Sequence, residues 1–204
     1  TAEVYYPASA QGRDVPVAGG DGSKFPVLCF GHGYLLPGKA YRNIWEGVVP
    51  AGYIVVFPKK EKGMFPSHRQ LAEDLAFVLN HFRLAGKQEG SLFYERISET
   101  NCCMGHSMGG GSAVLAAGMD PTIGALALLA PYDTHPSAIA AATGIDIPVL
   151  IITGSHDCVT PPEKYQLPMF RNFKSSDKTL ITILGGSHCQ MASSGSLCRL
   201  AEKS

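Results

Sequence analysis

Apolar residues along this chain gather into short runs bounded by glycine and proline, and between the runs apolar positions recur at helical spacing. The stretches FPVLCF (residues 25–30), YIVVFP (53–58), ISETNCCM (97–104), IGALALLAP (123–131), IPVLIITG (147–154) and TLITIL (179–184) predict strands. Runs with no polar alternation are buried on both faces, which is the habit of a parallel sheet covered by helices. QLAEDLAFVLNHF (70–82) puts Leu71, Leu75, Val78 and Leu79 on one stripe and turns Glu73 and Asp74 to water, so it predicts an amphipathic helix. GGGSAVLAAG (109–118) predicts a helix whose small residues let it lie close to the sheet. PPEKYQLPMFRNF (161–173) predicts one opened by prolines and kinked or split at Pro168. AGGDGSK (18–24) reads as a turn between early strands. Strand and helix alternate, which gives the α/β class: a mostly parallel central sheet flanked by helices, in a single domain over residues 1–204.

Composition narrows the partners. Lys+Arg and Asp+Glu both number 17, so the net charge is zero and nothing draws the chain to nucleic acid or to an anionic membrane. The basic cluster KKEK (59–62) reads as a solvated loop. No apolar run reaches the roughly 18 residues that span a bilayer. The chain starts at Thr1 rather than Met, as a processed or trimmed chain would, so the lack of a visible signal segment says nothing about destination. A monomer is the expectation.

The chemistry centres on NCCMGHSMGGG (101–111). GHSMG fits G-x-S-x-G, a strand-to-helix turn that holds a serine in a strained conformation between glycines, here Gly105 and Gly109. Ser107 would then stand at the carboxyl end of the sheet and the amino end of a helix, where the dipole favours negative charge. Such a nucleophile needs an acid and then a histidine in loops after later strands. Asp157 follows IPVLIITG and His188 follows TLITIL, in the chain order of α/β-hydrolases. Imidazole titrates near neutrality and can take the serine proton, and a carboxylate fixes its tautomer and stabilises the imidazolium. Ser107, Asp157 and His188 are therefore the candidate catalytic residues.

Other histidines fit the roles less well. His156 adjoins Asp157, but neighbours in an extended loop diverge. His106 precedes the serine and is expected to line the substrate pocket. His68, His81 and His135 read as surface or helix residues. Acyl transfer also needs donors for the oxyanion. These are expected from the backbone N–H groups of Met108 and of Tyr34, the latter in the glycine loop FGHGYLLPG (30–38); the alternative reading of GHGY is a plain glycine turn with a buried histidine, His32.

With these residues placed, the chain resembles α/β-hydrolases of the dienelactone hydrolase-like, cutinase-like and PET-hydrolase-like group. HGY, GHSMGGG, GSHDCVTPP and GGSH match that group's landmarks in order, along nearly the whole length. The resemblance implies that Tyr34 and Tyr132 flank the substrate, with Tyr132 in APYD where the group commonly has Trp. It further implies a serine carboxylesterase acting on short- to medium-chain or aromatic esters and extending to polyesters, with no metal or organic cofactor. Peptidase, thioesterase and lactonase activities use the same machinery, and a non-catalytic ligand-binding protein is the reading from a different class.

Only about sixteen residues separate Pro131 from Ile147, too few for a helical cap, so the site is expected to be open, lined by Tyr34, Met108 and Tyr132. Of six cysteines, Cys29, Cys102 and Cys103 read as small core residues. Cys158 follows the acid and Cys189 follows the base, so a Cys158–Cys189 bridge would pin the two loops together. Cys189–Cys198 is the local rival and a fully reduced chain the third alternative. Disulfides and the resemblance together lean towards an extracellular destination, while buried free thiols would be equally at home in a cytosol.

Overall fold

The computed structural model of the protein describes residues 1–20, 22–59, 63–194, 198 and 202. Seven strands make one sheet: β1 (Ala2–Tyr5), β2 (Phe25–Gly31), β3 (Ile54–Pro58), β4 (Ile97–His106), β5 (Leu126–Leu129), β6 (Val149–Gly154) and β7 (Lys178–Ile183). Their spatial order is β1-β3-β2-β4-β5-β6-β7. Only β1 runs antiparallel, against β3; every other pairing is parallel. The six predicted strands are all present, and the expected mostly parallel sheet is the one observed.

Helix α2 (His68–Ala85) begins at Ser67, whose hydroxyl accepts from the Gln70 N–H at 3.1 Å and so satisfies one of the open donors of the first turn. It buries Leu71, Leu75, Leu79 and Phe82, while Val78 packs at the margin of the core. Glu73 is exposed as expected, but Asp74 is half-buried rather than turned to water. Helix α3 (Met108–Met119) is buried along its first three turns and lies against β2, β4 and β5. With α4 (Ala138–Ala141) and α5 (Gln166–Asn172), these helices cover one face of the sheet. Pro168 neither kinks nor splits its helix. α5 begins at Gln166, so the proline is its third residue, where the missing N–H would have no intrahelical acceptor in any case.

The other face is covered over β2 and β3 by helix α1 (Arg42–Val48), which sequence reading did not anticipate. Beyond α1, a groove of about 710 Å³ runs along the amino ends of the strands, past Cys102, Ala127 and Thr179. It lies away from the candidate catalytic residues. Of KKEK, Lys59 pairs with Glu3 at 2.9 Å. Residues 60–62 of that cluster, and Asp21 of the early turn, lie outside the described residues. Among the described residues no helix is long and apolar enough to cross a membrane.

The strand order decides where a site can form. From β2 the chain crosses to β3 on one side, and after α2 it returns to β4 on the other. The loops leaving the carboxyl ends of β2 and β4 therefore diverge and open a crevice between them, the usual ligand position in such sheets.

Candidate active site

Ser107 stands at that crevice. It is the single residue between β4 and α3, and its backbone is at φ 56°, ψ −123°, a conformation costing an L-residue on the order of 1–3 kcal/mol. Surrounding contacts hold it there. Its N–H donates to Leu129 O at 3.0 Å, and its carbonyl accepts from Gly111 N–H at 3.1 Å and Tyr132 N–H at 3.0 Å. The glycines around it are required by close approach. A Cβ on Gly109 would lie 2.1 Å from the carbonyl oxygen of Gly31, and one on Gly105 would lie 2.4 Å from that of Gly109. The β2 loop is thereby drawn onto the first turn of α3.

His32 and Gly33 continue that loop, and a buried relay fixes it. The Gly33 N–H donates to the Tyr41 hydroxyl at 2.7 Å, that hydroxyl lies 3.0 Å from His106 Nδ1, and His106 Nε2 lies 3.2 Å from the carbonyl of His188. A carbonyl can only accept, so His106 carries its proton on Nε2, and the Tyr41 O–H donates to Nδ1. His106 is wholly buried with both nitrogens engaged, so it does not line a substrate pocket as expected from sequence. It braces the β2 loop against the histidine loop instead. The cause lies in the strand: the ring leaves the end of β4 on the side of Tyr41 and lies tilted against His188, with ring centroids 4.5 Å apart.

Burial, with the nearby His188 adding to it, lowers the His106 pKa from 6.5 to about 3. In the unfolded chain the same group protonates near 6.5. Between those values the unfolded state binds the extra proton, so stability falls as pH falls from 6.5 towards 3, by about 1.4 kcal/mol per pH unit. Above 6.5 the group contributes no slope. Urea unfolding at pH 7, 6 and 5 is expected to show this decline, and His106→Gln is expected to flatten it. An equal slope in both proteins would show that other groups carry the acid sensitivity.

After β6 and β7 come Asp157 and His188, both buried. His188 Nδ1 lies 2.8 Å from Asp157 Oδ2. The acid turn closes on itself, with the Thr160 N–H donating to Asp157 Oδ1 at 2.7 Å. Sequence reading missed three residues that shape this corner. The Thr160 hydroxyl sits against both members of the pair. Buried Gln166 donates to Pro131 O at 2.8 Å and to Thr160 O at 3.0 Å while accepting from Thr153. Tyr165 packs its ring 5.1 Å from that of Tyr132.

The rim is aromatic and open. Tyr34 is about half exposed, and its hydroxyl donates to Met64 O at 2.9 Å. Tyr132 is half-buried beside the Ser107 carbonyl, with His68 6.4 Å away by ring centroids. His68, expected at the surface or in a helix, is the first residue of α2 and stands near Tyr132; its Nδ1 accepts from His135 N–H, and burial lowers its pKa. Met108 does not line the groove with its side chain, which is 3% exposed and belongs to the main core. Its backbone N–H, at the start of α3, remains beside Ser107. Between β5 and β6 stand only α4 and one short 3-10 turn, with no cap.

The cysteines form a different bridge from the one expected. Cys189 is bonded to Cys198, and Cys158 is a free, exposed thiol. Asp157 points inward to His188, so its neighbour Cys158 points out, while Cys189 is buried in the turn that carries His188. Cys29 and Cys103 are buried in the sheet, and burial raises both thiols well above their usual range; Cys102 is pushed up to about 12.

A serine held at positive φ between a parallel strand and a helix, with an acid–histidine pair after the second and third strands that follow, defines the α/β-hydrolase fold. Residues 48–203 match the PETase family, described as PET hydrolase-like, and the chain belongs to that family. It is also 29% identical over 119 residues to Cutinase 1 of Thermobifida cellulosilytica, a match spanning 57% of this chain and 43% of that protein.

Proposed function

We propose that the protein hydrolyses carboxylic esters of short to medium chain length or with aromatic groups, polyester chains among them, through Ser107, His188 and Asp157. The observation carrying this reading is the buried Asp157–His188 pair at 2.8 Å, at the same carboxyl edge of the parallel sheet as a serine strained to φ 56°. Family membership and the similarity to a cutinase support the ester as substrate class. With Nδ1–H committed to Asp157, the lone pair of neutral His188 is on Nε2, the nitrogen left to take the serine proton. Ser107 Oγ attacks the ester carbonyl, and the oxyanion is held by the N–H groups of Met108 and Tyr34. His188 then gives the proton to the leaving alkoxide. A water, deprotonated by the same imidazole, releases the acid from the acyl-enzyme.

The open rim sets the expected specificity. Tyr34 and Tyr132 offer two flat surfaces across the crevice and, among the described residues, no lid encloses the acyl chain, so binding energy per added methylene is small. Across p-nitrophenyl esters from acetate to palmitate, kcat/KM is expected to fall with chain length and to stay high on a soluble aromatic diester, with no jump at the solubility limit of a short ester. A sharp rise at that limit would mean that a lid exists. No turnover on any ester, with a serine-directed phosphonate still labelling the protein, would redirect the reading to amide or thioester bonds.

A further inference from the structure

We propose that Thr160 is a positioning residue of the Asp157–His188 pair, its hydroxyl fixing the rotation of the carboxylate and sharing the Nδ1 proton of the base. The inference rests on the reading of Ser107 as nucleophile and adds a fourth residue to it.

Every polar group of Thr160 is spent on this corner. Its N–H donates to Asp157 Oδ1 at 2.7 Å and its O–H to Asp157 Oδ2 at 2.8 Å. The same Oγ1 lies 3.0 Å from His188 Nδ1 and 3.3 Å from Ala130 O. Its carbonyl is held by the Gln166 amide. The residue is 1% exposed and Asp157 only 4%, so the carboxylate finds its donors inside the protein. Thr160 supplies one donor to each carboxylate oxygen, and His188 supplies the third hydrogen bond, also on Oδ2.

Oδ2, Thr160 Oγ1 and His188 Nδ1 therefore form a triangle with sides of 2.8, 2.8 and 3.0 Å that holds two protons. The hydroxyl proton goes to the carboxylate, and the Nδ1 proton lies between Oδ2 and the hydroxyl lone pair. This arrangement has a consequence for each state of the cycle. In the resting enzyme it keeps the proton on Nδ1 and so leaves Nε2 as the base. When His188 becomes imidazolium, its charge faces a carboxylate already oriented, with no reorganisation needed at that moment. Gln166 locks the backbone of Thr160 to Pro131, next to Tyr132, so the corner is fixed relative to the rim as well.

The test compares Thr160→Ala, Thr160→Ser and Thr160→Val with the parent protein and with Ser107→Ala, using p-nitrophenyl acetate and the rate of inactivation by a serine-directed phosphonate. Loss of a hydrogen bond to a buried carboxylate is expected to lower kcat about 30-fold in the alanine variant, with KM within about twofold. The phosphonate rate should fall in parallel, because it reads serine activation without deacylation. Thr160→Ser restores the hydroxyl without the methyl and is expected within about threefold of the parent. Thr160→Val keeps the volume but brings a methyl against Oδ2 and Nδ1, so it should be no better than alanine. Should valine fail to fold, the gap between serine and alanine still isolates the hydroxyl. Equal rates for alanine and parent, serine as slow as alanine, or a loss carried by KM would each overturn the proposal. Activity surviving in Ser107→Ala would instead sink the nucleophile itself, an outcome separable from the others.

Discussion

Ser107→Ala is expected to lower ester hydrolysis by about 10⁴-fold or more while leaving the melting temperature nearly unchanged. Only one atom is removed, the Oγ that makes the covalent bond. The backbone contacts that pin residue 107, to Leu129, Gly111 and Tyr132, are all main-chain and survive the substitution. Alanine bears the same Cβ and the same strain at φ 56°, so stability has no reason to move far. The measurement pairs kcat/KM on p-nitrophenyl acetate with thermal unfolding followed by circular dichroism. Activity within tenfold of the parent would show that Ser107 is not the nucleophile. Activity lost together with the fold would show that the site had not been tested.

Gly109→Ala should produce the second large effect, and through stability as well as chemistry. The new methyl would lie 2.1 Å from Gly31 O and 2.6 Å from His32 O, both backbone atoms that cannot swing aside. Either α3 or the β2 loop must retreat, at a cost of about 3 kcal/mol, the upper part of the range for overpacking. For a chain of this size that is a fall in Tm of roughly 6–12 °C. Retreat also separates the N–H groups of Met108 and Tyr34, and a misplacement of this order is expected to cost about 100-fold in kcat. Gly118→Ala, in the last turn of the same helix with nothing within 4 Å of its Cβ, serves as the control. It should stabilise by about 0.5–1 kcal/mol and leave kcat alone. A Gly109→Ala protein that melts and turns over like the parent would show that the loop and helix are not held in register by this contact.

Particular residues show what the linear pattern conveyed. Strands β2, β3, β5 and β6 announced themselves because both of their faces are largely buried, which leaves a nearly unbroken apolar run. Ser107, Asp157 and His188 were readable for a related reason: each directly follows or closely trails such a run, and parallel strands deliver their carboxyl ends to one edge. Helix α1 escaped because it has seven residues, one of them Gly47, and its apolar positions extend past its end into Val49. His106 was misassigned because sequence order places it beside the serine, whereas the pleat of β4 sends its ring to the opposite side, onto Tyr41. The Cys158–Cys189 expectation fails for the same kind of reason: neighbours in an extended loop diverge, so inward Asp157 forces outward Cys158 and leaves Cys189 to its local partner Cys198. Thr160 did leave a trace, as the D-x-x-T spacing in which a turn returns the fourth N–H to the first carboxylate. What no spacing reveals is that its hydroxyl also meets a histidine 28 residues further along.

The order of strands has one more consequence, in the time course of the chain's own synthesis. Ser107 is made early and can be seated on its turn once β2, β4 and β5 pair, but His188, the proposed base, follows β7, the outermost strand on its side of the sheet among the described residues. A domain grows on the ribosome from its amino end, and parallel pairings wait for their crossovers. Under the proposed mechanism the nascent protein would carry its serine as an ordinary alcohol until β7 docks and brings the histidine loop to the same edge of the sheet.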